Sequence, residues 1–153
     1  MDESPPASVG DYAACIGTTG YDDTVILGGG VQIPPNGAFR ALLGVRFTEI
    51  TDGLSNTLMV GDKHVPAGKE EKYPWDCGIY DGHNPICSTR AAGPNFPLAA
   101  NLNDLRVTFG SYHPGLCQFV FCDGSVRTLE TSIDPTTLGL LSQRNDRQGI
   151  PDY

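Results

Sequence analysis

The chain has 153 residues with 19 Gly and 12 Pro, 39% hydrophobic and 18% charged; that length suits one domain with its own core, and that much backbone punctuation excludes a helix bundle or coiled coil. No apolar run approaches the ~20 residues a membrane helix needs. The formal charge of −8, from 13 Asp and 5 Glu against 10 Lys and Arg, provides no basic stripe, which excludes nucleic acid and anionic lipid as electrostatic partners.

Residues 1–10 are polar and proline-rich and read as a flexible lead-in. Residues 11–149 then form one globular domain, and 150–153 a tail. The stretch DYAACIGTTG (11–20) is short and apolar, closed by Gly17 and Gly20. Gly28-Gly29-Gly30 is a flexible loop without the spacing of a dinucleotide site. Residues 37–47 are expected as a strand anchored by Phe39 and Phe47. Thr48 is expected to cap one helical turn ending at Gly53, after which Asn56 to Val60 runs into a strand.

Residues 66–104 form an irregular excursion with five prolines and the only tryptophan, Trp75. An excursion of that length inside one domain is expected to be functional or internally stapled. His113-Pro114-Gly115 is a turn, and residues 118–122 are a strand. Asp123-Gly124 is a two-residue hairpin loop and residues 125–129 return. That loop would set Phe121 opposite Val126 and Phe119 opposite Thr128. Leu129 would then share a face with Val120, so either both faces are partly covered or a bulge shifts the register. Asp134 caps a helix opened by Pro135, with Leu138, Leu141 and Leu140 as its inward candidates. The fold class is α+β: mostly antiparallel sheet, long irregular loops and a short C-terminal helix.

Five cysteines without a C-x-x-C pair point away from zinc and toward an oxidising, extracytoplasmic compartment. Cys77 and Cys87 bracket a turn-rich loop and are the first disulfide candidates. Cys117 and Cys122 lie five apart on one strand, ~16 Å along it and on opposite faces, so they cannot pair with each other. Two readings stay open for the rest: Cys15 bonds one of them, or all three are small buried hydrophobes.

The three histidines, His64, His83 and His113, lack metal-site spacing. His113, ten positions ahead of Asp123, is the one to single out, as a metal ligand, a base with Asp123, or a residue that fixes the strand junction. Ser55 in GLSNT lacks the second glycine of a nucleophile elbow. A triad drawn from Ser55 or Ser111 with His113 and Asp123 has no specific support. Asp52, Gly53 and Asn56 read as a side-chain-bonded turn. The neighbouring carboxylates Asp22-Asp23 and Glu70-Glu71 assign no glycosidase pair. Tyr73, Trp75, Tyr80 and Tyr112 are candidates for a sugar-stacking platform or for the excursion's own small core.

FGSYHPGLCQFVFCDGSVRTL places nine residues between His113 and Asp123-Gly124. This resembles the H-x9-DG pattern of the DUF1559 proteins, a pilin-like family abundant in planctomycetes. ITDGLSNTLMVGD (50–62) is similar to that family's second block, with Leu54 in place of a usual Thr and Asp62 in place of a usual Glu. DYAACIG and SIDPTTLGLLSQRNDRQG resemble a weaker first block and the closing helix. The resemblance implies a subunit of the type IV pilin kind or a pseudopilin of type II secretion, secreted or held in the cell envelope. Such subunits carry a basic leader and a long apolar N-terminal helix. No such helix is seen here, so either a C-terminal portion beginning at an added Met1, the favoured expectation, or a natural member without the anchor is expected, with an apolar sheet face left uncovered.

Under this resemblance the partners are other pilin-like subunits or secretion components. His113, Asp123, Gly124, Asp52, Gly53, Ser55 and Asn56 are fold markers, with no catalytic residue assigned. No cofactor is expected; calcium is carried over by analogy, with Asp123, Asp52 and His113 as the candidate ligands. The rival readings are an extracellular carbohydrate-binding or carbohydrate-active module using Tyr73, Trp75 and Tyr80, and a small metal-assisted hydrolase using His113, Asp123 and a second His.

Overall fold

A computed structural model describes residues 8–40, 43–81 and 84–153. Seven strands form: β1 (Tyr12–Cys15), β2 (Val25–Ile26), β3 (Gln32–Ile33), β4 (Leu58–Asp62), β5 (Thr89–Arg90), β6 (Leu116–Phe121) and β7 (Val126–Glu130). One α-helix, α1 (Pro135–Ser142), follows them. Five strands make the main sheet in the order β5-β1-β4-β6-β7, and β2-β3 is a separate hairpin. Of the pairs in this main sheet among the described residues, only β1–β5 is parallel. The α+β class expected from the sequence is the class found. Among the described residues no helix is long and apolar enough to cross a membrane.

Alternation along β6 decides how the sheet packs. Cys117, Phe119 and Phe121 point to one face and are buried, whereas Leu116 and Gln118 point to the other and are exposed. The buried face meets Leu138 and Leu141 of α1 together with Leu58, Leu98, Phe109 and Leu129. Leu138 and Leu141 are fully buried and Leu140 only partly, because residues three apart share a helical face. Asp134 starts this helix by accepting from the Thr137 amide at 2.9 Å. Gly61 stands opposite Phe119 on this face, where a β-carbon would overlap the Phe119 ring. Phe119 in turn meets Phe109 edge-on at 5.1 Å. The glycine of LMVGD therefore makes room for the phenylalanine of CQFVF.

The β6–β7 hairpin resolves the register question left open by the sequence. Phe119 faces Arg127 and Cys117 faces Leu129, one residue away from the register of a two-residue loop. Phe121 N donates to Ser125 O, so the connection holds three residues, and Gly124 takes the left-handed conformation (φ 83) that such loops require. The shift brings Leu129 onto the face of Phe119 and Phe121, where its burial is worth more than the tighter turn. A second irregularity lies in β4, where the register with β6 shifts between Leu58 and Val60.

Among the described residues the opposite face of the sheet is only partly covered: Ala14, Val60, Thr89 and Val120 are half-buried and Val126 is exposed. Thr89, Ala14, Val60, Val120 and Val126 pair side by side and so form one uncharged row across all five strands. Val126 is 65% exposed, and beside the row Tyr12 is 63% and Leu116 43% exposed. Among the described residues a small cluster of Ala38, Ile50 and Cys122 with Val45, Leu54 and Met59 packs at one end of the sheet.

Several expectations are corrected. The described part of residues 37–47 contains no strand; Gly37 and Phe39 each make one backbone bond to the end of β1, and Ala38, not Phe39 or Phe47, turns inward. Phe47 is 69% exposed. Thr48 caps nothing: it lies inside a 3-10 turn (Phe47–Glu49) closed by Glu49, whose carboxylate accepts from the Arg46 amide at 2.9 Å. A second such turn (Leu54–Asn56) delays β4 to Leu58. At the start of the tail, Ile150 packs against the main core. Within the lead-in, residues 1–7 lie outside the described residues, and Ser8 is held by its carbonyl, which accepts from Ile79 N at 3.0 Å.

Candidate functional site

The two longest sequence blocks meet in space at one end of β6. Cys122 N donates to Thr57 O at 2.9 Å and Asp123 N to Leu54 O at 3.0 Å, so the GLSNT turn lies against the hairpin loop. Gly53 (φ 100) allows the chain to reverse there, and Asn56 closes the turn by donating from Nδ2 to Asp52 O at 3.1 Å. The Asp52 carboxylate reaches across 94 residues of sequence. Its Oδ2 accepts from Asp146 N at 2.7 Å and its Oδ1 from Arg147 N at 2.9 Å, which fixes the segment after α1. Asp123 organises its own loop: Oδ1 accepts from the Ser125 hydroxyl at 2.7 Å and the Ser125 amide at 2.9 Å. The Ser125 hydroxyl bond, then the amide bond, holds this carboxyl below its ordinary range. Ser55 is exposed beside them.

His113 does not join this assembly. It precedes β6 and Asp123 follows it, so the strand holds them at least ~16 Å apart. A base formed by His113 with Asp123, and either drawn triad, are thereby ruled out by distance. Ser111 serves the turn instead, its hydroxyl accepting from His113 N at 2.9 Å. The same separation divides the candidate calcium ligands, and Asp52 and Asp123 already accept the bonds described above. Among the described residues no group of three or more His, Cys, Asp or Glu is placed to hold a metal ion. His83 lies outside the described residues.

His113 is exposed at the rim of a groove of about 540 Å³ on the other end of the sheet. Asp11, Asp62, Glu70 and Glu71 line it, with Tyr112 at its edge. At its base Lys63 and Asp76 form a buried pair, Nζ to Oδ1 2.7 Å. Asp76 Oδ2 also accepts from Glu71 N at 3.0 Å. Arg90, buried close by, donates to the carbonyls of Trp75, Ile86 and Thr89, and burial pulls its pKa down to about 10. These polar anchors tie the long excursion to the sheet. The sequence provides no local signal for them, because Lys63 and Asp76 are 13 residues apart across two turns.

Cys77 and Cys87 are joined by a disulfide. Cys15, Cys117 and Cys122 are free and buried, so of the two readings above the hydrophobic one is realised. Burial pushes the Cys15 thiol up to about 12.

The aromatic residues of the excursion do not assemble into a platform. The Trp75 indole donates to Leu105 O at 2.8 Å, and Lys69 Nζ sits 4.7 Å over its ring. The Tyr112 hydroxyl donates to Val65 O at 3.0 Å. Tyr73 lines a separate depression with Ile86 and Phe96, which neither Trp75 nor Tyr80 reaches. Tyr80 is 87% exposed.

His64 is buried, and its Nε2 lies 2.7 Å from Asp104 O, to which it donates. Burial is the largest influence on its pKa and lowers it; the Asp104 carbonyl and carboxylate oppose this, and Arg90 and Arg106 reinforce it. A folded-state pKa below the unfolded one means that the unfolded chain takes up the proton first, so stability is lost as pH falls through and below the ordinary histidine range. Thermal melting should therefore fall between about pH 7 and pH 5, above the range where carboxylates titrate. His64→Gln should flatten that slope, and an unchanged slope in the variant would remove His64 as its cause.

The family described as "Protein of unknown function (DUF1559)" matches residues 10–136. No curated protein and no solved structure matches the chain. The match covers both motif blocks, the GLSNT turn and the β6–β7 hairpin that it packs against, and with them most of the sequence: this chain belongs to the DUF1559 family.

Proposed function

We propose that this domain is a secreted or envelope-associated headpiece of the pilin or pseudopilin kind, acting by assembly rather than by turnover. The observation that carries the reading is the partly covered sheet face. Its uncharged row of Thr89, Ala14, Val60, Val120 and Val126 spans all five strands, while α1 covers only the other face. Val126, Tyr12 and Leu116 are the exposed apolar side chains on this face, and grouped exposed apolar side chains favour a partner surface. An apolar helix, rod-like and about 10 Å wide, fits a flat sheet row better than a pocket ligand does. The motif residues support the same reading by what they do: Asp52, Asn56, Asp123 and Gly124 bind backbone and shape turns. The disulfide suits an oxidising compartment outside the cytoplasm.

The test places a photocrosslinker on the exposed Val126→Cys variant in native cells. The expected result is a crosslink to the apolar helical segment of a pilin-like subunit, recovered from the membrane or sheared-filament fraction. Recovery of only uncrosslinked protein, or of crosslinks to proteins of another kind, would overturn the assignment.

A further inference from the structure

The two edges of the main sheet differ. On one side β5 is only two residues long, and just beyond it Ala91 bridges to Thr108, so the protein's own chain covers that edge. On the other side β7 pairs with β6 without a break from Val126 to Glu130. It carries no proline and no bulge, devices by which edge strands discourage further pairing.

In an antiparallel pair, successive residues turn their backbone groups toward the partner strand and away from it. Ser125 O accepts from Phe121 N and Thr131 N donates to Gly115 O, so residues 125, 127, 129 and 131 turn toward β6. Val126, Thr128 and Glu130 consequently turn their N–H and C=O outward. Of these groups only the Glu130 carbonyl has a partner among the described residues, the Ile133 amide at 3.0 Å.

The space beside them is a groove of about 450 Å³. Residues 127–130 all line it, which requires that the strand present its backbone edge, because alternate side chains point to opposite faces. Ile133 and Tyr153 provide apolar wall, and Glu130, Asp134 and Asp152 provide carboxylates. Arg127 is the one cation in the lining, stacked 4.3 Å from the Phe121 ring and 3.8 Å from Asp123.

We propose that β7 is a docking edge for an extended peptide segment bearing Lys or Arg, which adds as a sixth strand on the N–H and C=O groups of Val126 and Thr128. Main-chain bonds supply the affinity in this mode of recognition, and side-chain pockets supply the selection. Acidic lining selects basic side chains, and disfavours a second copy of a chain that carries a net charge of −8.

The probe is a capped heptapeptide alternating Lys and Val, titrated into the isotope-labelled protein beside a Glu/Val counterpart. The Lys peptide is expected to shift the amide signals of Val126, Thr128 and Glu130 and to slow hydrogen exchange at Thr128 about tenfold or more. The Glu peptide should bind at least about tenfold more weakly. Thr128→Pro removes an outward N–H without touching the β6 ladder, and should weaken the Lys peptide about tenfold. A Lys peptide N-methylated at alternate residues tests the same bonds without altering the protein. Absence of shifts at β7, equal binding of the Glu peptide, or undiminished binding of the methylated probe would overturn the proposal. So would a concentration-dependent dimer that protects Thr128 without peptide, since the edge would then belong to a second copy.

Discussion

Lys63→Met should destabilise the domain by about 3–5 kcal/mol, the cost of leaving a buried carboxylate without its cation. The side chains of Lys63 and Asp76 are 0% and 7% exposed and meet at 2.7 Å. With Lys63 gone, Asp76 keeps, among the described residues, the Glu71 amide as a direct donor and Arg90 as a nearby cation. The pair itself is a different matter, because the favourable contact is largely offset by the desolvation of both groups. Lys63→Met with Asp76→Leu should therefore recover most of what the single change loses. Denaturant unfolding of the two single variants and the double variant closes the cycle. A loss below about 1 kcal/mol for Lys63→Met would show that the pair does not anchor the excursion to β4.

The second large effect is expected from the disulfide. Cys77 and Cys87 are 10 residues apart, and closing a loop of that size removes unfolded-state entropy worth about 3 kcal/mol. Cys77→Ala with Cys87→Ala should lower stability by about that amount. The loss should also appear locally, because the strand after the loop holds the edge of the sheet: Ala14 N donates to Ser88 O at 2.8 Å and Ile16 N to Arg90 O at 3.0 Å. Hydrogen exchange at Ala14 and Ile16 should accelerate more than exchange at Phe119 in the sheet centre. Unchanged melting together with unchanged exchange at both amides would show that the excursion is held by its polar anchors alone.

Together these expectations place the weak points of the domain in the excursion rather than in the sheet. Lys63–Asp76, Arg90 and the disulfide hold a segment that contributes little apolar side chain beyond Ala92 and Leu98 to the main core. The partly covered sheet face and the open β7 edge, by contrast, belong to strands fixed by the central packing. Partners can meet these surfaces without the fold having to move, as the proposed assembly would require.

What the sequence by itself determined has local causes. Asp134-Pro135 starts a helix because a carboxylate and a ring of fixed φ suffice within one turn. Asp123-Gly124 reverses the chain because only glycine takes φ 83 at no cost. Cys77 and Cys87 are near enough in the chain for the loop to close, and the blocks around Asp52 and around His113 and Asp123 identified the family. What only the tertiary structure decided depends on partners far away in the chain. The β6–β7 register moved by one residue so that Leu129 could join Phe119 in the core. The described part of residues 37–47 forms no strand, and Gly37 and Phe39 instead meet the end of β1 by single bonds. The Asp52 carboxylate found amides 94 and 95 residues distant. His113 and Asp123, ten residues apart in a motif, were driven to opposite ends of one strand, since an extended backbone keeps them apart however suggestive their chemistry. Spacing records which residues share a turn; burial and the pairing of backbone groups across the sheet decide which residues meet.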